Sequence, residues 1–369
     1  MESDGSSNPY RIRGNAGNQA NAAPQSRTGG CGWIFICLIL AALLGITWLG
    51  ILATAGAGIA MSGSSVNEFW EEQLVEDNPS DDAIAVIEVD GLISNIAIDP
   101  TGMTMVQSIK SQLELAADDD TVKGVILKID SPGGEVLASD DIYREIQAFQ
   151  EGTKKPVVAS MSGLAASGGY YVAAPCQWIV ANELTITGSI GVILHSYNYR
   201  GLMDKVGIQP QVFKSGRFKD MLSGEKDPDE ILPETRTMVQ SMIDETFDRF
   251  KAVVLEGRTF SQTQNNGSGQ ALAADWESYA DGRILSGKQA FELGFVDELG
   301  NIDQAIARLE QLVNSSDLDL IRYQQPFSFG SLFQFFGAAK DQRIKLDLGL
   351  DLPRLQAGRL YFLASNYIQ

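Results

Sequence analysis

Past residue 80 the chain alternates short apolar runs, rich in β-branched residues, with longer stretches in which apolar positions recur every three or four residues. The short runs predict strands at Ala83–Val89, Val122–Ile129, Lys155–Met161, Trp178–Ala181, Ser189–Leu194 and Pro210–Phe213. The longer period predicts helices at Thr104–Ala117, Ser139–Gln150, Ala166–Ala174, Leu202–Val206, Pro233–Glu256, Gly287–Leu293 and Ile302–Leu312. Strands alternating with helices in this way predict an α/β domain with buried strands over residues 83–312. Residues 313–369 read as a C-terminal extension serving assembly or membrane contacts, with the aromatic stretch Phe327–Phe336 and the tail Leu346–Tyr361 as its apolar parts.

The first third follows a different pattern. Residues 1–32 are rich in Asn, Ser, Gly, Ala and Gln and lack apolar periodicity, so they read as a disordered tail. Residues 33–60 carry no charge and exceed the ~20 apolar residues that span a bilayer core, which predicts a transmembrane helix. Arg11, Arg13 and Arg27 precede it, whereas Glu68, Glu71, Glu72 and Glu76 lead an acidic stalk over 61–82. The positive-inside rule then puts the tail in the cytoplasm and the body outside it, as a single-pass protein of the cell membrane. A cleavable signal peptide is the competing reading, with Ala53-Thr54-Ala55 as its small-residue site; the long segment before the apolar stretch argues against it.

Charge and composition remove several classes of function. A net charge of −19 and no basic patch disfavour nucleic acid as a partner. Cys31, Cys37 and Cys176 form neither a disulfide framework nor a metal spacing, and His195 is the sole histidine, so no zinc site and no cofactor is expected.

Three clusters carry candidate chemistry. The strand at 122–129 runs into Asp130-Ser131-Pro132-Gly133-Gly134, where the glycine pair lets backbone N–H groups face a ligand. The strand at 155–161 leads into Ser162-Gly163-Leu164-Ala165-Ala166-Ser167-Gly168-Gly169-Tyr170, which sets a serine hydroxyl where a helix opens. Close packing of small residues between helix and sheet explains this cluster equally well, because Ala165 stands where a nucleophile elbow has Gly. The third is Lys214-Ser215-Gly216-Arg217-Phe218-Lys219-Asp220, by composition a solvated loop. With a single histidine in the chain, the base for a nucleophilic serine is either a carboxylate or a desolvated lysine.

Taken together, these segments resemble the signal peptide peptidase A (protease IV) family in its short, one-domain form. The resemblance rests on Ser131-Pro132-Gly133-Gly134, Ala166-Ser167-Gly168-Gly169-Tyr170-Tyr171, Ile186-Thr187-Gly188-Ser189-Ile190-Gly191-Val192, Lys214-Ser215-Gly216 with Lys219-Asp220, and Gly282-Arg283 through Gly294-Phe295-Val296-Asp297-Glu298-Leu299-Gly300. It implies a ClpP/crotonase-like α/β fold and a membrane-bound serine endopeptidase. Ser167 is then the nucleophile, Lys219 the general base, Ser189 the serine that orients the lysine, and the N–H groups of Gly134 and Gly168 the oxyanion hole. Hydrophobic peptides, notably signal peptides left in the lipid bilayer, become the substrates. A homo-oligomeric ring with Ser and Lys from neighbouring subunits is implied as well. Lys219 is expected to sit buried beside Ser167 and Ser189. Cys176-Gln177 and Met221–Pro233 depart from the family pattern, which bears on loop contacts and substrate preference.

Other readings remain open from the sequence. A ClpP-like Ser-His-Asp protease would use His195; a crotonase-type enzyme would act on acyl thioesters without a nucleophile; a membrane scaffold of the same fold would bind peptides without cutting them.

Overall fold

The computed structural model describes residues 70–97, 102–325 and 360–363. The tail at 1–32, the apolar segment at 33–60 and the stretch Phe327–Phe336 lie outside these residues. Among the described residues no helix is long and apolar enough to cross a membrane.

Along the chain run β1 (Glu71–Glu76), β2 (Ala83–Asp90), α1 (Met105–Asp118), β3 (Val122–Ser131), β4 (Gly133–Glu135), α2 (Val136–Thr153), β5 (Val157–Ala166) and α3 (Gly168–Ala173). They are followed by β6 (Trp178–Ala181), β7 (Ile186–Gly188), α4 (Arg200–Lys205), α5 (Pro233–Gln264), β8 (Ile284–Ser286), α6 (Gly287–Glu292), β9 (Glu298–Leu299), α7 (Ile302–Val313), β10 (Asp319–Gln324) and β11 (Tyr361–Leu363). The main sheet has the order β1-β10-β2-β3-β5-β6-β9, with β7 paired to β5 and to β8. Strands β10, β2, β3, β5 and β6 are mutually parallel.

Parallel strands covered on both faces need apolar residues at every position, which is why these runs are nearly continuous in the sequence. Ala85, Ile87, Val89, Val125, Leu127 and Ile129 belong to the core shared with α1, α2, α3 and α5. Ile84, Ile126 and Val158 alternate with them and meet Ala305 and Leu309 of α7 on the other face. Reciprocal capping boxes at Thr104/Gln107 and Asn301/Gln304 start α1 and α7. The arrangement is the α/β, ClpP-like architecture that the motifs imply.

Several elements differ from expectation for identifiable reasons. The paired strand expected at Ser189–Leu194 is β7, a few residues earlier, because positive φ at Gly188 (74°) and Ser189 (51°) breaks the extended run. Pro210–Phe213 pairs with nothing among the described residues, and Val212 and Phe213 are both exposed, since no strand lies beside them to bury either face. Part of the acidic stalk is the edge strand β1: its backbone pairs with β10 while every side chain stays in solvent. Part of the C-terminal extension is structural too, because β10 lies between β1 and β2 and β11 pairs with β4. The folded body therefore extends beyond 83–312 at both ends.

Helix α5 is fastened to the sheet by a fully buried ion pair, Arg258 Nη1 to Asp297 Oδ2 at 2.5 Å. Arg258 also donates to the Cys176 carbonyl at 3.3 Å, and Asp297 Oδ2 accepts from the Ile179 backbone N–H at 2.9 Å. Removing one partner leaves the other charge buried without compensation, a loss of about 3–5 kcal/mol. Asp297→Ala should lower unfolding stability by that amount in urea titrations followed by circular dichroism. The double variant Arg258→Met/Asp297→Leu should lose distinctly less.

Candidate active site

Strand β3 ends where Pro132 removes a ladder donor, and the chain resumes as β4 against Ile93. The Ser131 hydroxyl braces this corner, donating to the Gly91 carbonyl at 2.7 Å and accepting from the Gly133 N–H at 3.1 Å. Ile93 N–H donates to the Gly133 carbonyl (2.9 Å), and Glu135 N–H donates to the Ile93 carbonyl (2.8 Å). Because backbone groups alternate along a strand, the N–H of Gly134 points to the opposite side, away from Ile93. A side chain at Gly134 would collide with the Ile93 backbone, so only glycine allows this approach.

Strand β5 delivers Ser167. Its backbone holds φ 55° and ψ −116°, a region that non-glycine residues seldom occupy and that costs roughly 1–3 kcal/mol unless neighbouring structure imposes it. Here Ser167 N–H donates to the Gly188 carbonyl at 2.8 Å and the Ser167 carbonyl accepts from Tyr171 N–H at 2.9 Å. The Ser167 side chain is completely buried, and its hydroxyl has no hydrogen-bond partner among the described residues. A Cβ on Gly168 would stand 3.0 Å from both Gly133 Cα and Gly134 N, so the two glycine backbones expected to hold an oxyanion are neighbours.

Ser189 follows β7, whose register against β5 pairs Ala166 with Gly188 and so sets Ser189 beside Ser167. It is nearly buried and lines a cavity of about 380 Å³ together with Val192, Phe247 and Leu363. The structure thus brings Ser167, Ser189, Gly134 and Gly168 into one corner, and Lys219 is not among them. Within one chain Lys219 is exposed in a turn, its N–H donating to the Gly216 carbonyl at 3.2 Å, so a single copy does not bury it beside Ser167. No residue from Gly191 to Glu234 is buried, so this segment has no core of its own to carry the lysine inward. Its neighbour Asp220 is held by Lys214 at 2.8 Å and Lys226 at 3.4 Å. His195 is partly buried with Nε2 unpartnered, so it makes no hydrogen bond to Ser167 and a Ser-His pair is not formed.

Three features around this corner were not read from the sequence. Tyr171, four residues after the serine, donates its hydroxyl to Asp140 at 2.7 Å. Asp140 also takes Arg144 at 2.6 Å and Arg249 at 3.5 Å, so α2, α3 and α5 meet in one polar knot. Burial pushes the Asp140 carboxyl up, but the Tyr171 hydroxyl and the two guanidinium groups outweigh it and hold it below its ordinary value. Burial, with Glu256 beside it, pushes the Tyr143 phenol up to about 12. The third feature is β11, which sets Tyr361 opposite Glu135, Phe362 opposite Gly134 and Leu363 opposite Gly133. On its other edge Tyr361 exchanges two 3.1 Å backbone hydrogen bonds with Ile193. Only the Tyr-Tyr pair after Gly169 gave a signal for any of these. Cys176 is fully buried and burial pushes its thiol up, in keeping with a small apolar core residue.

Residues 149–316 match Peptidase family S49, and residues 94–178 match Clp protease. A protein of Enterococcus faecium named "Putative signal peptide peptidase SppA" is 33% identical over 302 residues, 80% of this chain and 82% of its own. The chloroplastic serine protease SPPA of Arabidopsis thaliana is 32% identical over 236 residues, 63% of this chain and 33% of its own. Among solved structures, a mutant of the 1510-N membrane-bound stomatin-specific protease covers 67% of this chain and 99% of its own, at 16% identity and a TM-score of 0.40.

The Asp140 knot has a pH signature. A carboxyl held below its ordinary 3.8 contributes stability that is complete above that value and lost as pH falls through the lower folded one. Urea midpoints measured from about pH 6 down to about pH 3 should show a steep acid limb in the parent chain. In Asp140→Asn the limb should flatten and the stability at neutral pH should drop.

Proposed function

This chain belongs to peptidase family S49 and is a serine peptidase, and we propose that Ser167 is its nucleophile, with Lys219 as general base and Ser189 orienting the lysine. The observation that carries this reading is the backbone at Ser167: a strained, positive-φ serine at the end of a central strand, within reach of the Gly134 and Gly168 amides. In the reaction a neutral lysine amine takes the Ser167 hydroxyl proton as Oγ bonds to the peptide carbonyl carbon, and the oxyanion forms against the two glycine N–H groups. The tetrahedral species collapses with cleavage of the C–N bond, and the lysine returns the proton to the leaving amine. Water, deprotonated by the same lysine, then adds to the acyl-serine, and collapse releases the acid and restores the hydroxyl.

The lysine reaches the serine from a neighbouring subunit in this reading. Support comes from the 191–234 segment, which lacks buried residues within one chain yet exposes Leu202, Val206 and Phe213, apolar groups that a second copy would cover. Burial against another copy also provides the desolvation that a lysine base requires. We further propose that residues 33–60 anchor the protein in the cell membrane with the catalytic body outside the cytoplasm, where it meets hydrophobic peptides such as remnant signal peptides. The name of the Enterococcus faecium relative is consistent with that substrate class.

Hydrolysis of a synthetic signal peptide tests the assignment. Ser167→Ala should lower kcat/KM at least about 10³-fold with folding intact, whereas His195→Ala should stay within about threefold. Gly168→Ala, whose new methyl would press on Ser139 Oγ at 2.6 Å, should lose on the order of 10²-fold. Activity should climb from neutral to mildly alkaline pH as the lysine deprotonates. Co-expressed Ser167→Ala and Lys219→Ala chains should recover part of the activity that each lacks alone. Continued inactivity in demonstrably mixed assemblies would reject the shared site, and a loss with His195→Ala comparable to that with Ser167→Ala would reject the lysine.

A further inference from the structure

Ser167 and the Gly168 amide stand at the start of α3, so the way that helix is turned sets the direction of both. The helix is six residues long, too short to hold its own shape, and no side chain caps its first turn. Its first two residues are glycines in tight contact. A Cβ at Gly168 would stand 2.6 Å from Ser139 Oγ, and one at Gly169 would stand 2.7 Å from the Ser131 carbonyl oxygen. Glycines allow that approach, but without side chains they grip nothing. The grip comes from the next two residues.

Tyr170 donates its hydroxyl to the Phe295 carbonyl at 2.9 Å, and Tyr171 donates to Asp140 Oδ1 at 2.7 Å. Adjacent residues project about 100° apart around a helix, so these bonds leave α3 in different directions. A single tether lets a helix swivel about the tethered group; two tethers in different directions do not. Each anchor is itself held. Asp140 takes Arg144 at 2.6 Å and Arg249 at 3.5 Å. Phe295 comes two residues before Asp297, which is paired with Arg258 and bonded to the Ile179 backbone. Arg249 and Arg258 both belong to α5, so one helix stands behind both anchors. The tyrosine rings pack edge-on, Tyr170 to Phe295 at 5.8 Å and Tyr171 to Tyr143 at 5.6 Å. Both side chains are buried, and burial pushes both phenols up, so each hydroxyl remains a donor.

We propose that Tyr170 and Tyr171 are positioning residues whose hydroxyls, with Asp140 as acceptor of the second, lock the rotation of α3 and so aim the Ser167 hydroxyl and the Gly168 N–H. They act through the helix and not on the reacting atoms. The rings fill the core, and the two oxygens set the angle. The proposal rests on the assignment of Ser167 as nucleophile and of Gly168 as an oxyanion donor.

Hydrolysis of a synthetic signal peptide by the full-length protein, with unfolding followed in urea, tests the lock. Tyr170→Phe and Tyr171→Phe keep the rings and remove one oxygen each. Each should lower kcat about fivefold with KM within about twofold, because only the geometry of the reacting groups is loosened. The double variant should lose at least about a hundredfold in kcat, beyond the product of the single losses, while the effects on stability add. Asp140→Leu placed on Tyr171→Phe should change kcat by no more than about twofold, since both remove the same bond. As a control, Asn301→Ala breaks the capping box of α7 on the other face of the sheet; it should lower stability and leave kcat within about twofold. Single losses that merely multiply in the double variant, or a kcat that follows stability across the whole set with Asn301→Ala included, overturn the lock and leave the nucleophile standing. Undiminished turnover by Ser167→Ala rejects the nucleophile and the lock together.

Discussion

The backbone of one residue, Ser167, sets the conditions for the whole candidate corner. At φ 55° it cannot be part of a relaxed strand or helix, so it persists only because the parts around it leave no alternative. The Gly188 carbonyl takes its N–H from one side, α3 begins immediately after it, and the Gly133-Gly134 backbone closes on the glycine that follows. Each constraint comes from a different strand end, and all of them are held in register by the parallel core of β3, β5 and β7. Packing in that core is therefore coupled directly to the direction in which one hydroxyl points.

That core was readable in the sequence because its strands are buried on both faces. A strand that meets apolar neighbours above and below has to be apolar throughout, as Val157–Ala159 and Ile84–Ile87 are. The serine, its following glycines and Gly133-Gly134 were readable for a related reason: a backbone that must approach another backbone tolerates no side chain, and that intolerance is written as glycine. Strand β1 left no such trace. Its sequence, Glu-Glu-Gln-Leu-Val-Glu, pairs through main-chain groups while all its side chains face solvent, so charge at those positions says nothing about pairing. Strand β11 was missed because three residues are too few to show a period.

Lys219 is legible only in part. The sequence offers it as candidate chemistry by residue type and spacing, but what would desolvate it depends on packing, and the segment that carries it has no burial to offer within one chain. A motif specifies which groups react; the surface that desolvates them is a property of packing, here of more than local sequence. Tyr171 shows the converse. In the sequence it was only the last residue of the motif Ala166–Tyr171, and in the structure it joins α3 to Asp140, which also takes Arg249, and packs against Phe250.

The place of β10 in the sheet bears on how the molecule is made. Strand β2 emerges early, but the parallel partner on its outer edge is β10, and Gln73 on the neighbouring strand β1 meets Arg322 across 249 positions of chain. Until residues 319–324 have been synthesised, the outer edge of β2 has nothing to pair with, and β1 has no sheet to join. Closure of such distant contacts is slow, and an open apolar strand edge is a template for association with other chains. The nascent protein therefore carries an open strand edge on β2 through most of translation, a surface exposed to other chains until β10 is made.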